Sequence, residues 1–424
     1  MNPSISRWGY YWPLLLVFMG AFCQPLGVSI ELMNLFMMIL GGWYLWKRPA
    51  STHNPAIKLY TLIFATIWIP GWFSLPDAVD LERSLVTQIG YIRFYLAGIF
   101  VIFTLDSRNK NLAVAKALAF LLAFWMLDAW VQMLSGHNIF GMEPVHAGRI
   151  SGLFGKKQIL GWMILLYASV LGAVLIEHKK MKWLCLFVPI IIATIFLSGT
   201  RSAWVGSVWV SMVLVGVLLH WKIKPNRKVL LMALILVVAF FSMLFQQERF
   251  QDRLNHTKII NLDYETLDRV TSYRLVLWDT TLDLIKDNWV NGVGVKAFRY
   301  AYPAYASTND PFVMVESSGR KKGAHHAHQI VLDTLAHNGL IGLFGLFLFF
   351  GILSRLFIKL LLLKEYLPMA YGLGVLGVLF PLNSHPSLFS SYWAQAVWFV
   401  IALMLASWNA YQNNPKNPSK TNAS

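Results

Sequence analysis

Twelve apolar stretches recur along the chain, each about long enough, wound as a helix, to cross the hydrocarbon core of a bilayer. They lie near residues 10–23, 26–46, 59–75, 85–105, 112–134, 159–177, 183–199, 202–219, 229–247, 336–354, 367–382 and 392–409. One or two water-soluble cores could not hide so much apolar surface in 424 residues, of which 57% are hydrophobic and 13% charged. The expectation is an all-α polytopic membrane protein, a single integral membrane domain over 1–424 with about twelve transmembrane helices. The first stretch reads as an uncleaved anchor, because a second follows at once with no clear small-residue cleavage site between them.

Lys and Arg placement sets the orientation. With the N-terminus inside, loops after even-numbered spans carry Lys47, Arg48, Lys58, Arg108, Lys110, Lys116, Lys179, Lys180 and Lys182. Further on come Lys222, Lys224, Arg227, Lys228, Arg355, Lys359 and Lys364, and then Lys416 and Lys420 in the tail. With Arg7 these are more than half of the 36 basic residues. Short outward loops carry few, as the positive-inside rule requires, so both termini are expected in the cytoplasm. The net charge of +16 is largely this topology signal and no argument for nucleic acid. The polar, Asn- and Pro-rich tail over 411–424 is expected to be disordered.

One long outward segment, 248–328, breaks the charge pattern with eleven basic residues between Arg249 and Lys322. Long loops escape the charge rule; the functional alternative is an anionic ligand such as a phosphate or pyrophosphate. The loop is expected to contain amphipathic helix. From Asp268 to Asp287, Val270, Leu277, Trp278, Thr281 and Ile285 share a helical face, and Arg274 falls among them. A guanidinium there needs an anion, either a ligand or a structural carboxylate. Arg201, in the tight turn Ser198-Gly199-Thr200-Arg201, sits close to the bilayer, where arginine marks either function or interfacial anchoring. The outward loop from Gly148 to Lys157 joins Arg149 and Lys156 to glycines whose N–H groups suit phosphate oxygens; an ordinary flexible turn has the same composition.

The run His328-Gln329-(nine residues)-Gly339-Leu340-Ile341-Gly342 follows where the polar loop meets an apolar helix. At 100° per residue His328, Leu332, Leu335, Gly339 and Gly342 fall on one stripe, which would let a neighbouring helix approach the two glycines. An imidazole there suits proton transfer with a hydroxyl; a packing glycine pair beside an incidental histidine has the same spacing. Cys23 and Cys185 lie in spans and form no disulfide framework. His325, His326 and His328 lack nearby carboxylates at metal-ligand spacing, so no metal and no cofactor is expected. The acidic pair Asp80 and Glu82 is either a metal-binding pair or a solvated turn. Glu31, Arg93 and Asp128 lie within spans, either as buried structural partners or lining a solute path, which makes a membrane transporter the alternative of a different class.

In order and placement these motifs resemble the bacterial O-antigen ligase family, grouped with O-antigen polymerases and protein O-oligosaccharyltransferases. The resemblance rests on His328-Gln-x9-Gly-x2-Gly342, Ser198-Gly-Thr-Arg201, Arg274-Leu-Val-Leu-Trp278, Asn291-Gly-Val-Gly294 and Arg149-Ile-Ser-Gly-Leu-Phe-Gly155. It implies about twelve spans and one large periplasmic loop in a Gram-negative inner membrane. It further implies metal-independent, inverting transfer of O-antigen glycan from undecaprenyl pyrophosphate to a sugar hydroxyl of lipid A–core. A polymerase or a protein O-oligosaccharyltransferase is the alternative. In that family, arginines matching Arg201 and Arg274 and the histidine matching His328 are essential. Arg149, Lys156, Gln329, Gly339 and Gly342 are the accompanying substrate-binding candidates. The chain ends soon after its twelfth span, which favours a lipid-borne over a protein acceptor.

Overall fold

The computed structural model describes residues 7–145, 148–222, 263–382, 384 and 386–413, with the isolated positions 231, 235, 238 and 242. Lys224, Arg227, Lys228, Arg249, Arg253, Lys258, Lys416 and Lys420 lie outside the described residues, as do most of 229–247 and of the tail. The helices are α1 (Arg7–Phe22), α2 (Val28–Lys47), α3 (Pro55–Phe73), α4 (Leu81–Gly90), α5 (Ile92–Thr104), α6 (Arg108–Ser135), α7 (Leu160–Glu177), α8 (Leu184–Leu197) and α9 (Arg201–His220). Then come α10 (Tyr264–Val270), α11 (Arg274–Asp287), α12 (Phe298–Ala301), α13 (Ile330–Leu363), α14 (Tyr366–Val378) and α15 (Ser391–Gln412). A short antiparallel ribbon pairs β1 (Met314–Val315) with β2 (Lys321–Lys322).

The protein is an all-α polytopic membrane protein. Eleven of the twelve apolar stretches fall on α1–α9 and α13–α15, and most of the ninth lies outside the described residues. Among the described residues seven helical spans, counting α4 and α5 as one, are long and apolar enough to cross a membrane. Exposure on α4 has the sense that lipid demands: Leu81, Val86 and Ile89 are each more than half exposed, whereas Ser84 and Gln88 are buried. Water would reverse that arrangement. Lipid does not, provided the inward polar groups find partners. Gln88 does so with the carbonyl of Trp68 on α3.

At the centre stands α15, whose apolar window is buried along its whole length. A helix apolar all round can only sit inside other helices or lipid, and this one packs on α3, α5, α6 and α14. Its Trp398 donates to the Tyr91 hydroxyl at 2.8 Å, and Tyr91 donates to the Leu388 carbonyl at 2.8 Å. The tightest helix pairs form where a glycine faces neighbouring backbone: Gly41 against Leu96, Gly345 against Thr66 and Gly374 against Leu166. Each of the three charged residues expected within spans has a polar partner, although only Asp128 is buried. Arg93 Nε lies 3.4 Å from a Glu31 carboxylate oxygen, and Asp128 accepts from the Ile139 amide at 3.0 Å.

Helix α13 is interrupted at Gly339, whose φ of 58° and ψ of −154° no helix contains. The segment 289–294 fills the break. Val293 N donates to Ala336 O at 2.9 Å and Gly294 N to His337 O at 3.0 Å, while Leu340 N donates to Trp289 O at 2.8 Å. The glycine stripe is therefore corrected. Gly339 meets the Val290–Asn291 backbone and not a second helix, and Gly342 faces Asn338 and Thr334 of its own helix. The glycine that admits a neighbouring helix is Gly345.

Gly339→Ala should therefore destabilise the protein by at least about 2 kcal/mol, from a side chain forced into a left-handed backbone and against Val290. Gly351→Ala, in the same helix with nothing within 4 Å, should be neutral or mildly stabilising. Equal thermal unfolding midpoints for the two variants in detergent would contradict this account.

Candidate functional site

The site begins at the α8–α9 hairpin. Gly199 takes a φ of 69° and its N–H closes onto Phe196 O at 3.0 Å, so the chain turns at once and Arg201 becomes the first residue of α9. The 148–158 loop is tied beside it. Ile150 N donates to Leu197 O at 3.1 Å, and the Ser151 and Gly152 amides both donate to the Gln132 side-chain oxygen, at 2.8 and 2.9 Å. Gln158 joins the two pieces: it accepts from Arg149 Nη1 on its side chain at 3.2 Å and from the Thr200 hydroxyl on its carbonyl at 3.4 Å. Arg149 and Arg201 lie within electrostatic range of each other. Lys156 lies in the same loop but is exposed.

The amphipathic stretch expected as one helix from Asp268 to Asp287 is two. Ser272 and Tyr273 adopt φ values of 64° and 61°, ending α10 and restarting the chain as α11. Asp268 makes this turn worthwhile, since its buried carboxylate accepts from the Leu275 and Val276 amides at 2.9 and 3.2 Å. Arg274 thus opens α11 and does not sit mid-helix. Arg201 reaches over to this turn, donating from Nη2 to Ser272 Oγ at 2.6 Å. Among the described residues no carboxylate pairs with Arg274, so the structural salt bridge weighed for it is absent from that set. Burial, and then the like charge of Arg201, push the Arg274 pKa down. Two guanidinium groups held this close favour an anion between them.

One turn along α11, Trp278 Nε1 donates to Ala327 O at 3.0 Å, and Ala327 N donates to Asp333 Oδ1 at 3.2 Å. These two bonds clamp the residue preceding His328. His328 itself has a φ of 56°, outside the helix that starts at Ile330, so it does not share a helical stripe with Leu332 or the glycines. Such a backbone persists only where its surroundings over-determine it. Its ring lies 3.9 Å from that of His326, centroid to centroid. Gln329 caps α13, accepting from Leu332 N at 2.7 Å while its NH2 donates to Pro381 O at 2.7 Å. Gly339 and Gly342 are buried in packing.

Arg201 meets the turn before α11, Arg274 opens that helix and Trp278 ties its next turn to the His328 segment, while Arg149 reaches the group only through Gln158 and Thr200; Lys156, Gly339 and Gly342 stand apart. Sequence reasoning missed Gln158, Asp268, Asp333 and His337. Asp333 is buried, with both carboxylate oxygens engaged, the second by Ser387 Oγ at 2.5 Å; its main-chain oxygen pairs with His337 Nδ1 at 2.7 Å. The signal was there: an Asp and a His four residues apart entering an apolar run. Asp80, weighed as a metal ligand, caps α4 by accepting from Arg83 N at 3.1 Å and pairs with Arg320 at 3.3 Å.

Residues 185–347 match the family model described as O-antigen ligase. The match takes in Arg201, Arg274, His328, Gly339 and Gly342, and leaves out the loop of Arg149 and Lys156. No curated protein matches the chain.

If Asp268 holds the α11 start, Asp268→Ala should cost about 1–2 kcal/mol of local stability. Hydrogen exchange at the Leu275 and Val276 amides should then rise about tenfold or more, with α3 and α15 unchanged. Unaltered exchange at both amides would rule this role out.

Proposed function

We propose that this chain, which carries a domain of the O-antigen ligase superfamily, transfers an O-antigen glycan from undecaprenyl pyrophosphate to a sugar hydroxyl of lipid A–core. The family implies a lipid-linked glycan substrate in general. The observation that carries the finer reading is the pair Arg201 and Arg274, brought to one turn with the 327–328 segment one helical turn away. In this reading both guanidinium groups bind the pyrophosphate, and the oxygen leaving the anomeric carbon gains charge where they already lie. Arg201 opens α9, which has no side-chain cap, so the positive end of that helix adds to the field.

His328 would accept the proton of the acceptor hydroxyl, or orient that hydroxyl, as its oxygen attacks the anomeric carbon. The carbon–oxygen bond to the pyrophosphate breaks on the opposite face, its electron pair stays with the pyrophosphate, and the configuration inverts. Two arginines supply the charge that a metal would otherwise bring, so no metal is assigned to the step. The site would face the periplasm of a Gram-negative inner membrane, with both termini in the cytoplasm and 248–328 as the periplasmic loop. A polymerase shares the donor half of this chemistry, and the family match fits it equally.

Two experiments test the reading. A null strain should accumulate lipid-linked polymer of normal length and leave lipid A–core uncapped, seen by gel and by analysis of the lipid-linked intermediates. Caps of a single repeat in that strain would instead indicate a polymerase, and intact caps with lost protein glycosylation a protein-directed enzyme. With purified protein, His328→Ala should insert normally and lower turnover about a hundred-fold or more. Arg201→Lys and Arg274→Lys should each weaken donor binding, because lysine cannot give a bidentate contact. Unchanged donor affinity and rate in both lysine variants would eliminate the clamp.

A further inference from the structure

The extramembrane face carries a second concentration of positive charge that the clamp does not use. It is built on the Tyr300 ring. Arg320, Arg83, Lys322 and Arg299 lie 4.0, 5.0, 5.6 and 5.8 Å from its centroid, and they arrive from α4, from the start of α12 and from the ribbon. An aromatic face tolerates cations at such distances but does not neutralise them. Two carboxylates stand nearby: Asp80, 4.0 Å from Arg83 and 3.3 Å from Arg320, and Glu316, paired with Lys322. Among the described residues Arg299 Nε is buried with no hydrogen-bond partner.

Lys296 and His325 border the same group. Burial, and then Arg83, push the Lys296 pKa down, with Arg93 and Arg299 adding to the effect and Asp333 opposing it. His325 is pushed down by burial and then by Arg299, Lys296, Arg83 and Lys322. The cluster is therefore short of negative charge. It also reaches the segment before His328 by its own route. Lys296 lies within electrostatic range of Asp333, which holds the Ala327 amide, whereas α11 reaches Ala327 by a hydrogen bond from Trp278.

We propose that the Tyr300 cluster is a second oxyanion site, which holds a phosphate or carboxylate borne by the acceptor sugar while its hydroxyl is presented to His328. This rests on the glycan-transfer reading above. The ligand class follows from the donors, since guanidinium groups at several angles around one ring match an oxyanion with three or two equivalent oxygens. Donor and acceptor would then each be held by charge, on separate sets of residues, with the histidine segment tied to both.

The test measures binding of lipid A–core glycolipid to the full-length protein in detergent. It compares the intact glycolipid with a dephosphorylated and a carboxyl-reduced form, on wild type, Arg299→Gln and the exposed-site variant Arg320→Gln. Wild type should bind the intact form about tenfold or more tightly than one of the stripped forms, and that form names the oxyanion. Both variants should lose about that factor on the intact form only, with donor binding unchanged. Equal wild-type affinity for all three forms would overturn the proposal, as would variants that weaken every form alike or that weaken the donor instead. Turnover in the same preparation keeps the two ideas apart: wild-type transfer without charge discrimination sinks the second site and spares the transferase reading, and absence of transfer sinks that reading.

Discussion

The arrangement of α4, α11 and α13 depends on the hydrogen bonds between segment 289–294 and the interrupted helix α13. A break in a helix at membrane depth strands carbonyls and amides where no water can reach, at about 1–3 kcal/mol for each group left unpaired. Here the intruding backbone satisfies Ala336 and His337 on one side of Gly339 and Leu340 on the other. The same segment accepts Val79 N at 3.1 Å on Val293 O, and Asn291 Nδ2 donates to Asp77 at 2.5 Å. The turn between α3 and α4, the end of α11 and the body of α13 therefore share one joint. Arg274, at the far end of α11, is positioned from there.

Fixing α11 in this way forces like charges together, and the protein offsets that cost in two different manners. Around α11 the negative partner Asp268 is spent on main-chain amides, so it shapes the turn without cancelling Arg274. Around Tyr300 an aromatic face and two carboxylates share the load among several cations. Both arrangements keep positive charge partly desolvated, which strengthens any anion contact made there and makes an empty site less stable than a neutral one would be. The two groups of cations differ in how much of their charge is already answered from within.

Much of this was legible in the chain. Apolar stretches of bilayer length gave the helices, because the period and length of a span are properties of the local sequence. Arg201, Arg274 and His328 stood out because charge or a titratable ring at a membrane boundary has few structural uses. What was not legible is long-range. Nothing local says that Asn291-Gly-Val-Gly294 enters the break at Gly339, since a glycine pair spaced by two reads first as helix packing. Nothing local places Ser272 and Tyr273 in the left-handed region, where Tyr273 N bonds Asp268 O and Arg201 holds the Ser272 hydroxyl. Part of what Asp333 and Gln158 hold lies more than forty residues away, at Ser387 and Thr200, and periodicity carries no trace of those two contacts.

The segment that matches the family does not make the site alone. Residues 185–347 supply Arg201, Arg274, His328 and the ring of Tyr300. Gln158 and Arg149 come from before it, and they set the electrostatic surroundings of Arg201 and hold Thr200 at the helix start. Asp80 and Arg83, also from before it, close the charged group around Tyr300. The surroundings of Arg201 and of Tyr300 are thus set in part by residues outside the matched segment. The contacts that tie these groups together are drawn from α4, the 148–158 loop, α11 and α13.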